Sequence, residues 1–195
     1  SDLISEIIHG TTVATNAILQ NQGARTALVT TRGFRDVLEF RRLRFPDLFS
    51  LDYTPPKPLV PRRQRFEVIE RMMPDGSIRQ PLDDVSVESM LEKLEQLQPE
   101  AIAICLLHSY ANPIHERKVI EAVKTRFPDV YVSGSVDVLP EIREYERTST
   151  TVINSYIGPI VDSYLKSMQK RLDHANMTVP ISIMQSNGGV MSYAA

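Results

Sequence analysis

The run Ala101-Ile102-Ala103-Ile104-Cys105-Leu106-Leu107 carries no polar side chain. A strand with one wet face alternates apolar and polar residues, so an unbroken run of this length reads as a strand covered on both faces. Its neighbours fit. An amphipathic helix is expected over residues 84–98, with Val87, Met90, Leu91, Leu94 and Leu97 on one side. A polar loop, 108–113, follows the run, and Pro113 opens a helix to Arg126. The next strand is expected at Val130–Ser133. Helix, buried strand, loop, helix and strand in that order predict an α/β fold.

The flanks are read the same way. Leu3, Ile4, Ile7 and Ile8 lead as a strand or helix end into the turn His9-Gly10-Thr11-Thr12. Residues 12–22 are expected to be helical, with Thr11 or Thr12 as cap and Gly23 as stop. Ala27–Thr30 is a further buried-strand candidate, and Gly33 opens a short helix to about Phe40. Pro74-Asp75-Gly76 predicts a hairpin between Phe66–Met72 and Ile78–Leu82. Glu144 to about Asn176 is expected as one helix or two, with Gly158-Pro159 kinking or splitting it. Ile181–Met184 is the last strand expected.

Residues 41–65 break this rhythm. Six arginines (41, 42, 44, 62, 63 and 65) flank a stretch holding Pro46, Pro55, Pro56, Pro58 and Pro61. So many prolines exclude regular elements and predict a long irregular arm. It is either a solvated surface or an anion-binding or interface segment.

The bulk properties exclude several classes. The net charge of −2 gives no global attraction to nucleic acid or an acidic membrane. No apolar run approaches the roughly 18–20 residues of a membrane span. Cys105 is the single cysteine, so no internal disulfide forms, which fits a cytoplasmic setting. The chain starts at Ser1 and ends just after Gly188-Gly189 at Ala195, and both ends are read as cut. Of the four histidines only His115, beside Glu116, has another ligand type at a metal-like spacing, so no complete metal site is expected within these residues.

Three polar turns remain as site candidates. His9, Thr11, Thr12 and Asn16 lie at a strand-to-helix turn, where free N–H groups and hydroxyls hold an anion or carbonyl, or simply cap the helix. Arg143, Glu144, Arg147 and Thr148 combine charge and hydroxyls at a helix start. Gln185, Ser186, Asn187, Gly188 and Gly189 follow the last strand as a polar site or a plain hairpin turn. With 8 glycines and one adjacent pair, the chain holds no P-loop and no dinucleotide fingerprint.

Five strings, HGTTVATNAIL at 9–19, ALVTTRGFRDVLEF at 27–40, AICLLHSYANPIHE at 103–116, PEIREYERTSTTVINSYIGP at 140–159 and IMQSNGG at 183–189, resemble the hydantoinase A/5-oxoprolinase family in order and spacing. The resemblance implies an actin-like ATPase architecture of two ribonuclease-H-like lobes, incomplete in this chain. Residues 1–147 resemble most of the N-terminal domain and 148–195 the start of the next. It implies an ATP- and Mg²⁺-dependent enzyme that activates a cyclic amide at its oxygen so that water opens the ring. The alternatives are a ketone carboxylase subunit of the acetone carboxylase type and a non-catalytic interaction module. A second hydantoinase-type subunit and a homo-oligomer are the implied partners. The family's phosphate loops lie outside these residues, so this chain alone is expected not to bind ATP. The three turns are expected to face one cleft. Gln185, Ser186 and Asn187 would touch the amide, with charge or orientation roles for His9, Glu144 and Arg147.

Overall fold

A computed structural model describes residues 4–42, 54, 56–175, 177, 179–185 and 187–192. Its elements are mixed α/β, and the chain divides into two compact units, one of residues 24–158 and one of residues 1–23 with 159–195. The boundary expected at 147/148 falls inside a helix, Glu144–His174.

The larger unit is built on a four-stranded sheet. Its strands are β2 (Thr26–Thr31), β3 (Arg65–Val68), β6 (Ala101–Cys105) and β7 (Tyr131–Gly134), in spatial order β3-β2-β6-β7. Every pairing in it is parallel. All residues of β2 and β6 are buried, as the continuous apolar run requires. Alternation then decides which side chain goes where. Ala27, Val29, Ile102 and Ile104 pack on one face with Met90, Leu91 and Leu94 of α3 (Asp84–Leu97) and Val119, Ile120 and Val123 of α4 (Ile114–Arg126). Leu28, Ala103 and Cys105 pack on the other with Leu38 of α2 (Val37–Phe40) and Val152 of α6 (Glu144–His174). Each fully buried Leu or Met contributes about 1.5–3 kcal/mol, so these two layers hold the unit together. Asp83 caps α3 by accepting the Ser86 N–H at 3.2 Å, and a short helix α5 (Ser135–Val138) follows β7.

The smaller unit contains β1 (Ile7–His9), α1 (Val13–Leu19), β8 (Ile181–Met184) and β9 (Val190–Ser192). Strand β8 pairs with β1 in parallel and with β9 antiparallel.

Three local expectations change, and one open alternative is decided in favour of a single helix. Residues 66–72 do not form one hairpin arm: β3 joins the parallel sheet, and only β4 (Arg71–Met72) pairs with β5 (Ile78–Gln80). The break falls at Glu70, which is buried against His115, Nδ1 to Oε2 2.8 Å. Helix α1 is stopped by Asn21 (φ 53°) rather than Gly23. Gly33 opens a turn, and helix begins only at Val37. Pro159 does not split α6, which runs as 31 residues around it. Of the arm at 41–65, Arg44, Pro46 and Pro55 lie outside the described residues, and a short 3-10 turn forms at Arg62–Gln64.

Candidate functional site

The first and third turns leave neighbouring strands at the same end. Strands β1 and β8 are parallel, with His9 opposite Ile183. The chain therefore runs from His9 into Gly10-Thr11-Thr12, and from Met184 into Gln185, on one side of this small sheet. His9 is half-buried, and its Nε2 lies 2.8 Å from the Tyr164 hydroxyl, with the two rings stacked 5.8 Å apart. That contact fixes the imidazole plane. Thr11, Thr12 and Asn16 are exposed and bonded locally. Thr11 Oγ1 accepts the Val13 N–H at 3.3 Å, and Thr12 Oγ1 accepts from the Asn16 amide at 3.3 Å.

The third turn is the β8–β9 hairpin. Gln185 N donates to the Gly189 carbonyl at 2.7 Å, Gly188 N to the Gln185 carbonyl at 3.0 Å, and Gly189 N to Asn187 Oδ1 at 2.8 Å. Gly188 sits at φ +85°, which a side chain would strain. These amides are spent within the turn, so Gly188-Gly189 makes no phosphate cradle. The exposed Gln185 and Asn187 side chains remain at its surface. Ser186 lies outside the described residues.

The second turn belongs to the larger unit, at the carboxyl ends of β2 and β6, the edge where open α/β sheets bind ligands. Arg143 is exposed with φ 78°. With Glu144 it lines a cleft of about 390 Å³ whose apolar lining is Phe34, Val37 and the exposed Phe40. Glu144 Oε1 lies 4.0 Å from His108 Nδ1. Three guanidinium groups (Arg41, Arg42 and Arg143) and two carboxylates (Glu144 and Glu146) line the cleft beside these apolar side chains, with Arg42 and Glu146 paired to each other, and such a mixed lining suits a small, partly polar ring.

Arg147 and Thr148 are buried beneath this cleft. Arg147 donates to the Leu106 carbonyl at 2.8 Å, to Ser135 Oγ at 3.0 Å and to Ser109 Oγ. Thr148 Oγ1 lies 3.2 Å from Cys105 Sγ. Arg147 therefore fastens the first turn of α6 to the loop after β6. Sequence reasoning missed the partner of this strut, Glu116. Its carboxylate accepts from Leu106 N at 2.8 Å, Val136 N at 2.9 Å and Ser135 Oγ at 2.9 Å. Burial pushes its pKa above the usual carboxylate range, against those hydrogen bonds. A signal existed: Glu116 stands in the stripe Val119, Ile120, Val123 at helical spacing. Cys105 is likewise buried, and burial raises its thiol pKa.

Among the described residues no three His, Cys, Asp or Glu side chains cluster as a metal site. No helix there is long and apolar enough to cross a membrane.

Comparison with known proteins gives these strands and turns a family. The model of the hydantoinase/oxoprolinase N-terminal region matches residues 1–127, and that of hydantoinase/oxoprolinase matches residues 147–195. The chain belongs to the hydantoinase/oxoprolinase family. It is 42% identical to an uncharacterised protein of Methanocaldococcus jannaschii, over 97% of this chain and 28% of that one. It is 37% identical to caprolactamase subunit alpha of Pseudomonas jessenii, over 94% and 27%. The crystal structure of ATP-dependent caprolactamase from P. jessenii superposes with a TM-score of 0.89 at 36% identity, over 95% of this chain and 27% of that one. A nucleotide-free acetone carboxylase structure gives 0.86 at 26% identity, over 96% and 28%. The chain thus spans little more than a quarter of the length of these relatives.

Proposed function

We propose that the longer protein to which this chain belongs is an ATP-dependent hydrolase of cyclic amides, such as a hydantoin, 5-oxoproline or a related lactam. The observation that carries this reading is the likeness to caprolactamase, in sequence and in fold, over nearly the whole chain. An actin-like ATPase architecture and a cytoplasmic setting are part of the same proposal.

Within it, the chain's own residues have distinct tasks. The exposed amides of Gln185 and Asn187, with Ser186, contact the substrate amide. His9, held by Tyr164, stands at the same end of its sheet and orients or exchanges a proton there. Arg143 and Glu144 supply charge beside apolar lining residues that accept the ring's methylenes. Arg147 and Thr148 hold that turn in place from beneath. ATP and Mg²⁺ belong to this reading of the longer protein, but the described residues do not fit a triphosphate. The amides of Gly188-Gly189 are spent within their turn, and a Cβ at Gly10 would meet nothing within 4 Å.

The likeness to acetone carboxylase supports a second reading, ATP-dependent carboxylation of a ketone. The test is a coupled ADP-release assay on the full-length protein with its partner subunit, across caprolactam, 5-oxoproline, hydantoin and acetone with bicarbonate. ADP release driven by a lactam supports hydrolysis. Release driven only by the ketone with bicarbonate overturns it.

A further inference from the structure

The arginines of the Pro-rich arm have different fates. Arg65 is fully buried and spends its guanidinium on the Val60 carbonyl, the Arg35 carbonyl and Glu39. Arg62 chelates Asp36 at 2.8 and 3.0 Å and holds that carboxyl below its ordinary pKa. Arg42 pairs with Glu146 and Arg41 with the Pro56 carbonyl. Arg63 is exposed and without a partner among the described residues. So are Arg32 and Lys93 in their side chains.

These three unpaired cations line one cleft of about 670 Å³ between β3 and α3. Six Arg or Lys side chains and two acidic ones line it, although the whole chain carries −2. Its floor is apolar, with Phe66, Ile69 and Met90. Strand β3 is an edge of the sheet, paired on one side only among the described residues. An open strand edge beside a groove is where an extended segment adds. The cations come from three places in the chain, Arg32 from the turn after β2, Arg63 from the 3-10 turn and Lys93 from α3, while the buried Arg65 guanidinium is held by four hydrogen bonds. That arrangement fits a row of carboxylates better than a single small anion.

We propose that the cleft between β3 and α3 is the docking site for an extended, carboxylate-rich segment of a partner subunit, which lies along the β3 edge with acidic side chains toward Arg32, Arg63 and Lys93. This rests on the reading of the longer protein as one subunit of a complex, but not on its substrate.

The test uses the full-length protein produced with its partner subunit. Ser89→p-benzoylphenylalanine places a photo-crosslinker in the cleft. The expected product joins it to a partner peptide rich in Asp and Glu. The triple variant R32E/R63E/K93E is expected to weaken the complex roughly tenfold or more at low salt and to abolish its salt dependence. Lys124→Glu, on α4, should leave both unchanged. A cross-link within the protein's own chain overturns the proposal. So does an unaltered complex in the triple variant, or no complex at all. Loss of the cross-link to millimolar inorganic phosphate at constant ionic strength identifies a small-anion site and overturns it too. Failure of lactam hydrolysis with the cross-link intact would sink only the catalytic reading.

Discussion

Glu116 and Arg147 share one hydroxyl: Ser135 Oγ donates to the carboxylate at 2.9 Å and accepts from the guanidinium at 3.0 Å. A buried acid on α4 and a buried base on α6 are thereby linked at the carboxyl end of β6. Removing the link leaves two buried polar groups short of a partner. Ser135→Ala is expected to destabilise the folded protein by about 1–3 kcal/mol, read from chemical denaturation. An unchanged midpoint and slope would show that the link carries no weight.

Glu116 also makes stability depend on pH. Its folded pKa is raised, so above the ordinary value of 4.5 the folded state keeps a proton that the unfolded state has lost. The contribution is complete below that value and is lost as pH rises through the folded pKa. Wild-type stability therefore falls over that window, and Glu116→Gln is expected to flatten the fall. Parallel pH profiles for the two proteins would contradict the assignment.

Gly158 faces the Tyr131 ring, where an added Cβ would stand 2.4 Å from ring carbons. Alanine gains up to about 1 kcal/mol of helix propensity at such a site. Overpacking against a ring costs about 1–3 kcal/mol, so the clash wins. Gly158→Ala should lower the melting temperature, and a double-mutant cycle should show a smaller loss for Gly158→Ala when Tyr131 is already alanine. A stabilised Gly158→Ala would show that the ring moves freely.

Much of the fold was legible in the sequence because burial on both faces leaves a plain mark. Ala101–Cys105 and the α3 stripe were read directly. Buried charge was harder to read. Arg65, Glu70, Glu116 and Arg147 have residue types that composition assigns to water, and their burial follows from partners 5–45 residues away along the chain. The split of residues 66–72 between two sheets was hidden for that reason, since Glu70 marks the break only once His115 is beside it. The polar turns were legible as turns. That His9 and Gln185 leave one sheet end required the parallel pairing of β1 with β8, which no local pattern encodes.

His9 depends on Tyr164 for its orientation. Tyr164→Phe in the full-length protein keeps the stacked ring and deletes the 2.8 Å bond. Stability should drop by about 1 kcal/mol. If His9 has the role proposed for it, turnover falls further, on the order of tenfold, since a misaligned proton-transfer group acts on kcat. A variant that loses stability but keeps full kcat would confine His9 to structure.

The central claim is that these turns serve the opening of a cyclic amide. Its most direct test is mass spectrometry of the product formed by the full-length protein and its partner subunit with ATP and a lactam. The account predicts a product of lactam plus one water, formed with stoichiometric ADP and lost in the double variant Gln185→Ala/Asn187→Ala. ADP without ring-opened product would contradict it, as would, in a parallel reaction supplied with acetone and bicarbonate in place of the lactam, a product equal to ketone plus carbon dioxide.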